Sequence, residues 1–379
     1  IYLSLSPPPM KQTFLISAFA LFCLFSCAEQ SQTDSTTKQD SDSTEKSTET
    51  AERGVSGIDT IQEQNDADEN EVQHYQKEMD LFWIRDMEEN ANKKVGFVSL
   101  SDVYSWSDDP AVQPISDLES REKNSAHNFK LNSSDRKRFL AGTNFSENDS
   151  VFIYDYATDV LHAFSVKKLN VVAFLNDYMN AEECPCSASD YMIGFEIAKN
   201  QLPGLGNYYS DALVFVGKEN PFVKGQMKAI VWQKIKAEKF PSAKSTLTEN
   251  QNAYRHKDAV KSQTYVYETK AEQIFIQDYS EAGNPVHVLD RHLLILDKQS
   301  GKVLHEKLFS NDEGSSVTPL NFGINNSNYP DLKEQWVGKL FKDKPEVIFG
   351  FTWVSFGCPT LFFVHSPNKY VEINCDNRH

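Results

Sequence analysis

The side chains in this chain whose types and spacing could do chemistry are first of all cysteines. Cys184, Cys186, Cys358 and Cys375 lie beyond residue 180. An even set of this kind outside a reducing compartment points to disulfides, with three possible pairings. The segments 360–365 and 370–374 have strand composition and flank the turn sequence Ser366-Pro-Asn-Lys369. Pairing His365 with Tyr370 would bring Cys375 opposite Thr360, two residues from Cys358, so a Cys358–Cys375 bridge is expected. Cys184-Pro185-Cys186 is then left over. A bridge within Cys-x-Cys is strained. A thiolate metal site would need two further ligands, and no histidine is near in sequence. A redox pair would more usually read Cys-x-x-Cys beside a βαβ unit. Structural bridging, metal or redox use, and free thiols all stay open for this pair.

The nine histidines form no ligand pattern. His287 and His292 stand five apart in a strand-like run and so point to opposite faces. His-Glu-x-x-His, Gly-x-Ser-x-Gly and the phosphate-binding Gly-rich loop are absent from the sequence. Ser165-Val-Lys-Lys168 and Ser366-Pro-Asn-Lys369 match Ser-x-x-Lys without its companion motifs. No catalytic residue, metal ligand or cofactor follows from these motifs. One aromatic pattern stands out. Phe349, Phe351 and Trp353 alternate, so in one strand they share a face. Such a face is either sheet core or a platform on which sugar rings stack. The polar stretch 321–328, Asn-Phe-Gly-Ile-Asn-Asn-Ser-Asn, could hydrogen-bond hydroxyls beside it.

The elements that must position these residues are mostly strands. Short runs rich in β-branched and aromatic residues, bounded by Gly, Asn, Asp or Pro, predict strands at 95–100, 150–156, 160–166, 171–175, 191–197, 212–217 and 226–236. Further ones are predicted at 264–268, 273–277, 286–296, 302–309, 346–354, 360–365 and 370–374. Before them, Val72, Tyr75, Met79, Phe82 and Trp83 fall at helical steps and predict an amphipathic N-terminal helix. A second, short helix is expected over 331–341, after Pro330. The stretches 105–140 and 240–260 read as polar and irregular. The fold class is therefore mostly β (α+β), built of antiparallel sheets in a sandwich-like arrangement with one N-terminal helix. Crossover helices for a parallel α/β fold are missing. The stretches 151–162 and 293–305 echo each other: a strand, an Asp-initiated turn, then a strand opening Val-Leu-His. Such hairpins occur in propeller blades, so a propeller-like fold is the alternative, although two copies this far apart lack the period.

The start of the chain sets the compartment. Met10 is followed by Lys11 and an apolar run from Phe14 to Phe25, too short to span a bilayer. It ends in Leu24-Phe25-Ser26-Cys27. This segment resembles the signal peptide and lipobox of bacterial lipoproteins. The resemblance covers the leader alone. It implies that Cys27 is lipidated and becomes the N-terminus of the mature chain, anchored to the bilayer. Ala28 in place of Asp resembles the signal for an outer-membrane destination. Residues 1–26 are then leader and upstream extension.

Residues 28–72 carry thirteen acidic against three basic side chains and no aromatic, a composition that stays disordered. Residues 27–72 thus read as a lipid-anchored acidic tether and 73–379 as the folded body. Since the tether holds most of the net charge of −16, the body is mildly acidic, which argues against nucleic-acid binding. In the tether, Asp34-Ser35-Thr36, Asp42-Ser43-Thr44 and Asp59-Thr60-Ile61 resemble the O-glycosylation sequon of some Gram-negative bacteria. That resemblance implies glycans on Ser35, Ser43 and Thr60. The expectation is an outer-membrane or cell-surface lipoprotein with a non-catalytic binding, scaffolding or envelope-maintenance role. Its partners are the bilayer and a glycan or envelope protein. The alternative is an extracytoplasmic hydrolase acting on polysaccharide or envelope material.

Overall fold

The computed structural model describes residues 75–377, apart from 91–92, 108, 110, 117, 119–126, 181, 183–185, 249–250, 253–254 and 324–332. Strands dominate, in four sheets whose pairings are antiparallel with one exception. Strands are numbered in chain order. The central sheet has nine: β1 (Gln76–Trp83), β5 (Ser150–Asp155), β6 (Val160–Ser165), β9 (Ala212–Gly217), β10 (Met227–Ala229), β17 (Trp336–Gly338), β18 (Val347–Phe349), β20 (Thr360–Phe363) and β21 (Ser366–Asn374). Their order is β10-β17-β18-β20-β21-β1-β9-β5-β6. A first five-stranded sheet orders β2 (Arg85–Asn90), β3 (Lys93–Ser99), β8 (Tyr191–Ala198), β7 (Asn170–Leu175) and β4 (Asn128–Lys130). A second contains β11 (Gln233–Ile235), β12 (Ala259–Glu268), β13 (Glu272–Glu281), β14 (Asn284–Asp297) and β15 (Val303–Ser310), in that order. A two-stranded ribbon pairs β16 (Ser315–Val317) with β19 (Thr352–Val354).

The packing explains the apolar runs. In β5, Val151 and Ile153 join one core cluster while Phe152 and Tyr154 join another, on the opposite face. The central sheet is thus buried on both sides at this point. One cluster draws on β1, β5 and β9 and on the first five-stranded sheet, through Val98, Val171, Ile193 and Phe195. Towards the other end of the central sheet, Val337 and Ile348 share a cluster with Ile274, Ile276, Leu293 and Ile295 of the second five-stranded sheet. Face-to-face sheets with alternating inward residues are the sandwich-like, mostly β class expected from the sequence. The propeller-like alternative fails. The two echoing hairpins are β5–β6 and β14–β15, they lie in different sheets, and the sheets do not repeat as blades.

Three expectations need correction. The N-terminal segment 76–83 is strand β1, not a helix. Its adjacent Leu81 and Phe82 are both buried, one on each face, because β1 sits inside the sheet between β21 and β9. Its pairing with β21 is parallel and spans nearly the whole body, so distant partners override the local helical spacing. The segment 336–338 is also a strand, wedged between β10 and β18, where a helix was expected over 331–341; residues 331–332 lie outside the described set. Conversely, a helix, α1 (Ser133–Gly142), lies in the stretch read as irregular. The Asn132 side chain caps it by accepting from Asp135 N at 2.9 Å, and Phe139 and Leu140 pack into the core. Among the described residues no helix is long and apolar enough to cross a membrane.

Cys358 and Cys375 form a disulfide with Cα atoms 5.6 Å apart. The hairpin that closes it runs in a different register from the expected one. Phe363 pairs with Ser366, so the turn is Val364-His365 and Thr360 faces Glu372. The bridge forms all the same, because Cys375 lies just past β21 beside the start of β20. Cys186 is disulfide-bonded, and Cys184 lies outside the described residues.

Candidate functional site

The body contains a cleft of about 980 Å³. Its walls come from the end of β1, the start of β2, the loop 208–210, the end of β15, the β18–β19 segment and the approach to β20. It thus lies where the central sheet meets the other three. Five charged side chains line it: Arg85, Asp86, Lys307, Asp312 and Glu334.

The aromatic triad reaches this cleft, but not as one strand face. The chain is broken at Gly350, whose φ is +86°. A Cβ there would fall 1.9 Å from the carbonyl oxygen of Glu334, so glycine is required. The break separates β18 from β19 and rotates the residues apart. Phe349 and Phe351 are buried in two different core clusters. Phe349 meets Tyr156 edge to face at 5.2 Å, and Phe351 stacks on Phe309 at 5.2 Å. These two are walls rather than an open platform. Trp353 is the exposed member, at 49 %, with its Nε1 donating to Glu334 Oε2 at 3.1 Å. Trp83, read from the sequence as part of a helix stripe, and Tyr208 add further exposed rings to the lining. Asn321 of the polar stretch is buried and holds backbone: its Nδ2 donates to Ile230 O and its Oδ1 accepts from Gly323 N. Residues 324–328 lie outside the described set.

A buried network fixes the break. Gln335 is fully buried; its Nε2 donates to Thr318 Oγ1 at 2.7 Å and Pro319 O at 2.9 Å, and its Oε1 accepts from Trp232 Nε1 at 3.1 Å. Thr318 Oγ1 in turn donates to Gly350 O at 2.7 Å. The neighbouring Glu334 is therefore held at a fixed height in the wall. Burial pushes the Glu334 carboxyl above the usual range, although the Trp353 donor pulls the other way. Behind it, burial pushes Tyr156 well above its ordinary value, and its hydroxyl is hydrogen-bonded to Asp211. Burial also raises the Asp211 carboxyl, and the charges of Asp155 and Glu334 add to this.

The 208–210 loop is strained. Tyr208 and Tyr209 both have positive φ, +56° and +57°. Non-glycine residues in this region cost about 1–3 kcal/mol each and cluster at ligand sites. Asp155 holds the loop by accepting from Gly206 N at 2.7 Å. The outcome is that Tyr208 projects to solvent while Tyr209 is buried. The Tyr209 hydroxyl is buried with no hydrogen-bond partner, and so is Oδ1 of the nearby Asp86, whose Oδ2 takes Lys199 at 2.8 Å. Both residues line the cleft, but these two atoms are closed to solvent and so do not face a ligand there.

The third contribution is β15. His305, Lys307 and Phe309 alternate toward one side. His305 lies 5.8 Å from the Phe362 ring, and Lys307 Nζ sits 3.6 Å over the centre of that ring. Burial pushes Lys307 down to about 8. Burial, and then the Lys307 charge, push His305 down to about 4, and neither ring nitrogen of His305 has a partner. Glu306 points to the other side of the sheet. Burial would raise it, but hydrogen bonds from His292, Ser245 and Thr246 reverse this and hold it at about 2.

Of the sequence-derived candidates, the triad and Cys358 line the cleft, and Cys375 supports it through the disulfide. Cys27, Ser35, Ser43 and Thr60 lie outside the described residues. His287 and His292 do not converge: the first is exposed beside Glu281 and the second is buried against Glu306. Sequence reasoning missed Lys307, Glu334, Asp86 and the two tyrosines. Of these, only Gly204-Leu-Gly206-Asn-Tyr-Tyr carried a signal, two glycines and two aromatics in a turn. Among the described residues no group of His, Cys, Asp and Glu is arranged to hold a metal ion. Comparison with family models, with curated proteins and with solved structures gave no match.

Proposed function

We propose that this protein is an envelope lipoprotein whose β body binds a glycan in the cleft without chemical conversion. Cys27 carries the lipid at the outer membrane, and the acidic segment 28–72 spaces the body from it. The observation that carries the binding reading is the lining itself. The exposed rings of Trp83, Tyr208 and Trp353 lie in one cleft. Sugar rings present apolar faces that stack on such aromatic rings. Titrating the protein with oligosaccharides while following tryptophan fluorescence tests this. Wild type should respond saturably, and Trp353→Ala should bind at least about tenfold more weakly. Equal affinities would refute the site. The anchor is tested by palmitate labelling: label on wild type that is absent from Cys27→Ala supports it, and equal labelling of the two refutes it.

A hydrolase is the second reading, favoured by one observation. Glu334 lies in the lining against Trp353, Asp211 interacts with it from behind, and both carboxyls are pushed upward by burial. A carboxyl that holds its proton more tightly than usual is better suited to general-acid work. Release of reducing sugar by wild type, lost in Glu334→Gln, would establish hydrolysis; binding without turnover in both proteins supports the non-catalytic reading.

A further inference from the structure

Four of the five charged side chains lining the cleft have at least one partner within the protein. Arg85 donates to the carbonyls of Cys375 and Asp376. Asp86 takes Lys199. Asp312 accepts from Gly314 N at 2.8 Å and Ser315 N at 2.6 Å. Glu334 accepts from Trp353. Lys307 is the exception. Among the described residues its ammonium has no ion-pair or hydrogen-bond partner, and it rests on the faces of Phe362 and Phe309, 3.6 Å and 5.5 Å from the ring centres. A half-buried cation held only by ring faces loses hydration without gaining a counter-charge. Burial is accordingly the sole cause of its lowered basicity, with no carboxylate offsetting it.

We propose that Lys307 is the anion-recognition group of the cleft, and that the ligand is an acidic glycan bearing uronic-acid carboxylates. This inference rests on the glycan-binding reading given above and specifies its substrate class. The ammonium supplies the missing half of an ion pair, and a carboxylate entering the cleft supplies the other. The exposed Trp353 ring leaves the sugar ring a face to lie on. The acidic groups of the lining are already engaged, so they do not compete for the ammonium. A pair formed in this partly dry setting is charge-assisted and strong.

The test is calorimetric titration of the full protein with oligogalacturonate, oligoalginate and hyaluronan fragments, each beside its carboxyl-reduced counterpart. Reduction replaces the carboxylate by a hydroxymethyl group and leaves the ring intact. Wild type should prefer at least one acidic form by about tenfold or more, the usual worth of a hydrogen bond to a charged group. Lys307→Met should bind acidic and reduced forms alike, and Lys307→Arg should keep part of the preference. Lys307→Met should also melt at a higher temperature than wild type, which separates lost recognition from lost folding. If wild type binds both forms equally, or if Lys307→Met keeps the preference, this inference falls while the glycan reading stands. If wild type binds none of the glycans, acidic or reduced, both fall.

Discussion

Replacing His305 by leucine should abolish a specific part of the acid sensitivity of this protein. His305 lies in β15, 3 % exposed, with neither ring nitrogen hydrogen-bonded. Burial first, and the charge of Lys307 second, bring it to about 4 from an ordinary value of 6.5. The folded state therefore binds the proton less readily than the unfolded chain. Above pH 6.5 the imidazole is neutral in both states and costs nothing. Between 6.5 and about 4 the unfolded chain takes up the proton and the folded one does not, so stability falls with pH. Below 4 the loss is complete, at roughly 3 kcal/mol, since each tenfold difference in proton affinity between the two states is worth about 1.36 kcal/mol. At pH 5 the same two values give a loss of about 2 kcal/mol, a sizeable share of the roughly 5–15 kcal/mol typical of a domain.

His305→Leu keeps nearly the same volume and titrates nothing. Urea denaturation of both proteins at pH 7.5, 6 and 5 isolates the contribution of this imidazole, because other titrating groups are common to the two. Wild type should lose about 2 kcal/mol more than the variant between pH 7.5 and 5, and its melting temperature should fall by about 5 °C more. Parallel stability–pH curves would refute the reasoning, since His305 would then be hydrated or paired in solution.

The remaining predictions concern what holds the cleft. Cys358→Ser and Cys375→Ser should each destabilise by about 3 kcal/mol, by the loop-entropy argument for a separation of 17 residues, and the double variant should lose no more than either single one. Additive losses in chemical denaturation would contradict a shared bridge. Gln335→Leu strands Thr318 Oγ1, Pro319 O and Trp232 Nε1, and should cost about 2–4 kcal/mol, read by the same denaturation. A loss under about 1 kcal/mol would mean that these groups find other partners. Gly350→Ala places a Cβ against Glu334 O and should cost about 2 kcal/mol or more while weakening glycan binding. Unchanged stability would show that the +86° turn relaxes.

The sheets were legible wherever burial on both faces leaves a continuous apolar run. Ile274-Phe275-Ile276 and Leu293-Leu-Ile-Leu296 send alternate residues to two clusters, and composition alone marked them as strands. The tail hairpin was legible enough to pair Cys358 with Cys375, though not to fix its register. What failed was non-local. β1 reads as a helix until its pairing with β21 and β9 is known, and no property of 72–83 announces those partners. The helix α1 was a different kind of miss. Asn132 ahead of Asp135, and Gly142 ten residues on, form a cap-to-cap signal inside a segment whose polar composition hides it. In the cleft, Trp353 could be proposed from the alternation of aromatics, but the break at Gly350 could not, because it depends on the carbonyl of Glu334. Lys307 is invisible in Leu304-His-Glu-Lys-Leu-Phe309, where it reads as an ordinary solvated residue. Phe362, from another sheet, is what half-buries it.

Several departures from local rules meet in one cleft of this molecule. Tyr208 and Tyr209 take left-handed backbone, Asp86 and Tyr209 keep buried atoms unpaired, and Lys307 gives up hydration for ring faces. Each lowers stability, and all of them line one cleft. His305 carries the same kind of penalty beneath it, sharing Phe362 with Lys307. Elsewhere the same chain satisfies its polar groups with care: Asp278 meets the buried Arg291 through two hydrogen bonds, and Glu306 receives donors from three residues. A sequence able to pair charges that well in its cores does not leave a lysine unpaired in one cleft through want of partners. Costs of this kind gather where structure serves a site rather than stability. On that argument the partner of Lys307 comes from outside the chain. A single ligand with a carboxylate and a flat apolar face meets Lys307 and the exposed rings of the cleft together.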